Sequence, residues 1–188
     1  MNYYEEILEY LPKNEQEIKD KELILDVMEK YEDILTRKNI VAHLTASGFI
    51  INREKTKVLM IHHNIYNSWG WTGGHMDGDR DLKKVALKEA REETGGKNFE
   101  ILNDKIATLD VIPVKSHYKN GNFVSAHLHL SIGYILIGDD SEVVQIKEDE
   151  NSGVQWIDIE RVMEYTENEP HMQYIYGKLL NEIDVFFK

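Results

Sequence analysis

The sequence predicts a layered α/β domain with a mixed β-sheet, preceded by helices. Three observations predict it. The hydrophobic period changes from helical to alternating near His43, one strongly amphipathic helix interrupts the alternating segments, and further alternating runs follow that helix. Strands on both sides of a central helix point to a sheet covered by helices, with parallel and antiparallel neighbours.

The first elements are helical. "NYYEEILEYL" reads as a short helix that stops before Pro12, and Asn14 is placed to cap a second helix, "EQEIKDKELILDVMEKYEDILTR". Its apolar positions are Ile18, Leu23, Leu25, Val27, Met28 and Ile34. Residues 1–40 therefore form an N-terminal helical appendage, and 41–188 the main domain. From His43, "HLTASGFIIN" and "KVLMIHH" flank the charged turn "REKTK" as a hairpin.

The central helix carries the chemistry. Leu82, Val85, Ala86 and Ala90 recur at about 100° per residue and trace one stripe. Glu89 and Glu93 fall in the middle of that stripe and Glu92 lies beside Val85, while Lys83, Lys84, Lys88 and Arg91 occupy the solvent side. Carboxylates turned inward repel one another and lose hydration unless a cation sits among them. A hard cation, Mg²⁺ or Mn²⁺, takes oxygen ligands and shares itself between protein carboxylates and a substrate phosphate. Residues at i, i+3 and i+4 can address one such ion. The competing account is a Glu-rich helix end with solvated side chains.

After this helix, "KIATLDVIPVKSHY" and "FVSAHLHLSIGYILI" are joined by Lys119-Asn120-Gly121-Asn122, and Asn-Gly is a strong hairpin signal. Val124, Ala126, Leu128, Leu130, Ile132, Tyr134 and Leu136 share one face of the second strand. Ser125, His127, His129 and Ser131 share the other. "GVQWIDI" is a further strand, and "DIERVMEYT" and "HMQYIYGKLLNEI" are C-terminal helices.

Composition excludes several classes of function. The chain of 188 residues has no cysteine, hence no disulfide, thiolate nucleophile or Cys-ligated zinc. A formal charge of −12 argues against a nucleic-acid polymer or an anionic membrane as partner, but not against a small phosphorylated molecule, because a bound metal supplies local positive charge. No apolar run nears the roughly 18 residues of a membrane span, and the acidic N-terminus is unlike a signal peptide, so a cytoplasmic protein is expected. "DGDRD" fails as a calcium loop, since its sixth position is Leu82 and its twelfth Lys88. There is no P-loop and no H-E-x-x-H.

The segment from Gly74 to Gly96 resembles the Nudix box, G-x5-E-x7-R-E-U-x-E-E-x-G-U with U aliphatic; Gly74, Glu89, Ala90, Glu92, Glu93 and Gly95 stand at its positions. The resemblance implies a Nudix-type α/β/α sandwich with a mixed β-sheet over roughly residues 41–165. It implies divalent-metal-dependent hydrolysis of a pyrophosphate bond in a nucleoside diphosphate linked to another group. Metal ligands would be Glu89, Glu92, Glu93 and the Gly74 carbonyl, with Mg²⁺ or Mn²⁺ as cofactor. The general base would be Glu150 on the later loop, with Glu92 and then Glu148 as alternatives. Arg80 and Lys88 depart from the motif, replacing a glutamate and an arginine that pair in the family. Lys88 is expected to turn to Glu92, and Arg80 to Asp77 or Asp79. The alternative function is a weak or inactive Nudix domain that binds a nucleotide or a protein.

Trp69 and Trp71 alternate with Gly70, so both can face one way, either stacking a nucleobase or packing in the core. His127 and His129 could join His117 as a second metal site, contact a phosphate, or simply line a polar sheet face; His75 is a loop or substrate-side residue. Pro113 lies near a downstream proline found in many ADP-ribose pyrophosphatases. The expected partner is a small nucleotide-derived diphosphate, and the assembly leaves room for a homodimer.

Overall fold

In the computed structural model, which describes residues 2–119 and 121–186, an eight-stranded mixed sheet lies between two layers of helix. Helices α1 (Tyr3–Glu9) and α2 (Glu15–Lys30) come first, then strands β1 (Ala42–Asn52), β2 (Lys57–His63), β3 (Ser68–Gly70) and β4 (Thr72–His75). The central helix is α3 (Leu82–Thr94). Strands β5 (Glu100–Ile101), β6 (Thr108–Val114), β7 (His117–Lys119), β8 (Asn122–Val124), β9 (His127–Gly138) and β10 (Asn151–Asp158) follow. A 3₁₀ turn at Ile159–Arg161 leads into α4 (Val162–Tyr165) and α5 (Pro170–Phe186).

The centre of the sheet is a long parallel pair. β1 runs beside β9 from Ala42 opposite Leu128 to Asn52 opposite Gly138, and the path continues as β10-β2-β1-β9-β5 with antiparallel neighbours. β3 joins β2, β4 joins β1 and β6 joins β9. Every residue of β1 is buried, as expected of a strand covered on both faces. Leu44, Ala46 and Ile50 pack with α3 and the N-terminal helices, whereas Phe49 and Ile51 pack with Ile175, Tyr176 and Leu179 of α5.

Several sequence expectations change. Helix α2 ends at Lys30, seven residues short of the expected end, with Tyr31 in an extended conformation. Its buried face is Glu17 and Ile24, with Leu25, Val27 and Met28 partly buried; Ile18 and Leu23 are exposed. The strand expected from Phe123 to Ile137 is broken at Ser125–Ala126, so Val124 and Ala126 leave the core face. β7 and β8 form a separate two-stranded sheet. Of the Asn-Gly turn, Asn120 lies outside the described residues, and Gly121 has φ +78°. Ser131 is buried too, so this strand face is not a solvent face. "DIERVMEYT" forms a 3₁₀ turn and only a four-residue helix.

The N-terminal helices share the main core. Ile7, Tyr10, Ile24 and Ile34 belong to the same cluster as Leu44, Val85 and Leu130. The displaced polar position is Glu17, which takes the place of an apolar residue on α2 and is 1% exposed. It accepts from the Tyr10 hydroxyl at 2.9 Å, the Lys13 backbone N–H at 2.8 Å and the Lys178 ammonium at 3.0 Å. Lys178 donates also to buried Asp110 at 2.6 Å, so one cation from α5 joins α2 and β6. Burial pushes the Asp110 carboxyl up, and Lys178 works against that shift.

Replacing Lys178 by methionine should strand two buried carboxylates and lower stability by about 3 kcal/mol at neutral pH. Because protonation removes the uncompensated charge, the deficit against wild type should shrink on acidification. Denaturant melts at neutral and mildly acidic pH check both.

Candidate functional site

The site begins with the approach of α3 to β4. Asp81 caps α3 by accepting from the Lys84 N–H at 3.0 Å, and Gly95 ends it in the left-handed region at φ +69°. "DGDRD" is thus a helix start, with Asp79 bound to Lys84. Leu82, Val85, Ala86 and Ala90 are buried as the stripe predicts, and Glu89 and Glu93 are buried with them, at 8% and 3% exposure. The Glu93 carboxylate accepts from the Gly73 N–H at 2.9 Å, and the Glu89 carboxylate lies over Gly74, where any Cβ would collide with it. Gly74 is there because the Glu89 carboxylate comes too close to the strand for a side chain, whereas a Cβ at Gly73 would meet Ser47 of β1 on the opposite face.

Glu92 differs from its neighbours: its side chain is 43% exposed, so the expectation of three inward carboxylates holds for two. It stands at the mouth of the site. Lys147, from the loop before β10, approaches Glu92 at 3.7 Å and binds Glu150 at 3.0 Å. Asn151, next in the chain, donates its side-chain amide to the Glu93 carbonyl at 2.9 Å and so fastens that loop to the helix. Glu89, Glu92, Glu93 and Glu150 therefore surround one region, with Lys88 and Lys147 as its cations. The Glu148 carbonyl instead accepts from the Asn64 side chain.

Electrostatics match the geometry. Burial pushes Glu93 up to about 8; the Gly73 N–H opposes this, and Glu89 and Glu150 add to it. Such a group is short of positive charge, and its oxygen donors suit a hard divalent cation.

The motif departures resolve differently from expectation. Lys88 binds Glu89 at 2.9 Å more closely than Glu92 at 3.6 Å. Arg80 pairs with neither Asp77 nor Asp79 but lies over the Tyr3 ring of α1, 5.6 Å from its centroid. Asp77 is held instead by the two-pronged guanidinium of Arg37, at 2.9 and 2.6 Å. Arg37 and Lys147 were not singled out by the sequence, because both are brought in by segments distant along the chain.

On the other face of the sheet, Trp69, Trp71, Gly73 and His75 alternate along β3 and β4. Trp69 packs edge-on against His62 and Tyr165, and Trp71 against Tyr176, whose hydroxyl accepts from the Trp71 N–H at 3.1 Å. Both indoles are partly buried against the α5 cluster. His75 meets His129 at 4.8 Å between ring centroids, and His43 lies 4.8 to 5.2 Å from His75, His127 and His129. The expected partner His117 is elsewhere, paired with Val124 in the small hairpin. Its place is taken by His43, which the parallel register sets opposite His129. Burial pushes His75 down to about 3 and His129 to about 2, and it lowers His43 as well.

With this geometry in hand, residues 42–179 match the NUDIX domain family. Among solved structures, the fold resembles a binary complex of an Ap4A hydrolase from C. elegans at 16% identity and a TM-score of 0.55, covering 77% of this chain and 96% of that one. A MutT protein from Methanosarcina mazei Go1 gives 16% identity and a TM-score of 0.54, with the same coverages. At these identities the likeness shows the fold. No curated protein compared with the chain matches it. No helix among the described residues is long and apolar enough to cross a membrane.

Glu93 also has a consequence for stability. Between its ordinary 4.5 and its folded value of about 8, the native state holds a proton that the unfolded chain has released, so stability falls as pH rises through that window. In chelator, Glu93→Gln should melt higher than wild type at pH above about 8 and lose this advantage toward pH about 4.5. Thermal melts across that range test it; an advantage independent of pH would contradict it.

Proposed function

Since the chain belongs to the NUDIX family, we propose that it is a divalent-metal-dependent pyrophosphohydrolase acting on a small nucleotide-derived diphosphate. The observation that supports this most is the pair of buried carboxylates, Glu89 and Glu93, seated on Gly73 and Gly74 with the Glu150 loop fastened beside them. Glu89, Glu92 and Glu93, with the Gly74 carbonyl, would hold Mg²⁺ or Mn²⁺. That cation would supply positive charge for the phosphates and lower the pKa of a bound water.

The chain's own groups do the rest. Glu150 accepts the proton of the attacking water as general base, and its contact with Lys147 holds it in place. Glu92, the exposed carboxylate at the mouth, is the second candidate for that role. Lys88 and Lys147 offset the negative charge that substrate phosphates bring to an acidic cluster. The half-buried Trp69 and Trp71 pack against the α5 cluster on the sheet face away from Glu89, which favours core packing over stacking of a base, and His75, His127 and His129 lie on that same face. Because a solved neighbour is an Ap4A hydrolase, dinucleoside polyphosphates belong in the substrate panel beside nucleoside triphosphates, oxidised nucleotides, ADP-ribose and nucleotide sugars.

Product-resolved turnover on that panel with Mg²⁺ and with Mn²⁺ should find a substrate. Glu93→Gln should abolish its hydrolysis, and Glu150→Gln should lower kcat by about 100-fold or more with KM little changed. A full loss in Glu92→Gln with Glu150→Gln near wild type would move the base to the helix. Absence of turnover on every substrate, with cation binding retained, would overturn hydrolysis in favour of a binding domain.

A further inference from the structure

Four histidines from three strands converge at one end of the central sheet. His43 is the second residue of β1, His75 ends β4, and His127 and His129 are the first and third residues of β9. One ring nitrogen from each lies within 4.8 Å of the others. The parallel register sets His43, second in β1, beside His129, third in β9, and antiparallel pairing sets His75 opposite Thr45 on the same face.

Hydrogen bonds around the cluster orient two of the four rings, His43 and His127. His43 Nδ1 stands 3.0 Å from the Asn39 carbonyl, and His127 Nδ1 stands 2.9 Å from the Ser125 carbonyl. A carbonyl only accepts, so each Nδ1 carries the proton and each Nε2 presents a bare lone pair. His43 is 4% exposed, and its Nε2 has no hydrogen-bond partner. A buried acceptor without a donor is costly, and histidine ligands of metals are oriented by this kind of contact at the other nitrogen. The His127 and His129 Nε2 atoms are 3.2 Å apart. Two nitrogens each about 2.0 Å from a tetrahedral ion would stand about 3.3 Å apart. The inward lone pairs of His43 and His127 repel a phosphate, and the proton that His129 shares with His127 leaves when an ion takes its place, so the geometry favours a cation over an anion.

We infer that His43, His75, His127 and His129 form a second metal site, selective for a divalent transition cation that prefers imidazole, such as Zn²⁺, and separate from the acidic centre. All-nitrogen donors suit Zn²⁺, Ni²⁺, Cu²⁺ or Fe²⁺, whereas oxygen donors suit Mg²⁺ and Mn²⁺, so the two sheet faces sort cations by ligand type. The sheet itself separates them, since Gly74 faces Glu89 and the next residue, His75, faces the other way. His127 also lines a shallow groove with Ile40, Val41, Pro113 and Val114, so the cluster reaches the surface at that ring. The bound ion ties β1, β4 and β9 together one residue from Gly74.

The test is metal uptake by the full chain, stripped with chelator and then kept in millimolar Mg²⁺ to fill the acidic centre. Zn²⁺ titration should saturate at one equivalent per chain and raise the melting temperature, and Co²⁺ should give the intense visible absorption of a tetrahedral complex. His129→Asn and His127→Asn should each lose that equivalent and that spectrum, while Glu93→Gln keeps both. His127, at the groove, is the variant that decides if His129→Asn does not fold, as judged by circular dichroism. No saturable uptake, uptake unchanged in the histidine variants, or uptake lost in Glu93→Gln would each overturn the site. Since the readout is metal content and spectrum, its failure is distinct from any failure of Mg²⁺-dependent turnover.

Discussion

The close seating of α3 on β4 is the constraint on which the rest depends. Glu93 reaches a backbone N–H of the strand, and Glu89 occupies the space where a side chain at position 74 would stand. That approach requires a glycine at position 74, small residues along the helix stripe, and a strand held rigidly enough that the carboxylates cannot swing to solvent. β1 supplies the rigidity. It pairs with β4 on one side and with β9 on the other, and it is buried along its whole length. The energetic consequence is a carboxyl group, Glu93, whose charge is poorly stabilised by the residues around it.

The contacts that steady the loop before α3 come from outside the matched family region. Arg37 grips Asp77 with both prongs, and Tyr3 lies under Arg80. In the Nudix pattern a glutamate and an arginine at positions 80 and 88 would brace loop and helix from within. Here both positions are cationic, and the bracing is shared between the segment before β1 and α1. Lys88, freed from that role, faces Glu89. The N-terminal helices are in turn anchored through Glu17 to Lys178 and Asp110, so the charge cluster that joins α2, β6 and α5 supports the loop at a distance. An exposed pair such as Arg37 with Asp77 contributes modest energy, but its two-point geometry limits how the loop can turn.

The two faces of the sheet have opposite chemical character. Toward α3 lie carboxylates and backbone N–H groups; toward α5, at the same end, lie imidazoles, hydroxyls and indoles. Ser47 and Ser131 meet across the parallel pair at 3.4 Å, in line with His43 and His129. A polar row of this kind inside a strand pair has little to offer the core, and its burial is tolerable because its members satisfy one another or await a ligand.

How much of this was legible in the sequence follows from the range of each interaction. The period of Leu82, Val85, Ala86 and Ala90, interrupted by Glu89 and Glu93, disclosed the helix, its buried face and its acidic character, since all of these depend on residues within one or two turns. The hairpin of β1 and β2, the strand β10 and the helix α5 were legible for the same reason. Glu92 was misjudged because a few tens of degrees on a helical wheel separate burial from exposure, and the neighbouring loop decides which. Glu17 was not recognised as buried because its partners, Tyr10 and Lys178, lie on other elements. The break at Ser125–Ala126 and the replacement of His117 by His43 were settled by strand pairing, which joins residues more than 80 positions apart. By itself the sequence determined the elements, the family pattern and the acidic helix. Only the tertiary structure decided which distant side chains meet, because register between non-adjacent strands leaves no local period to read.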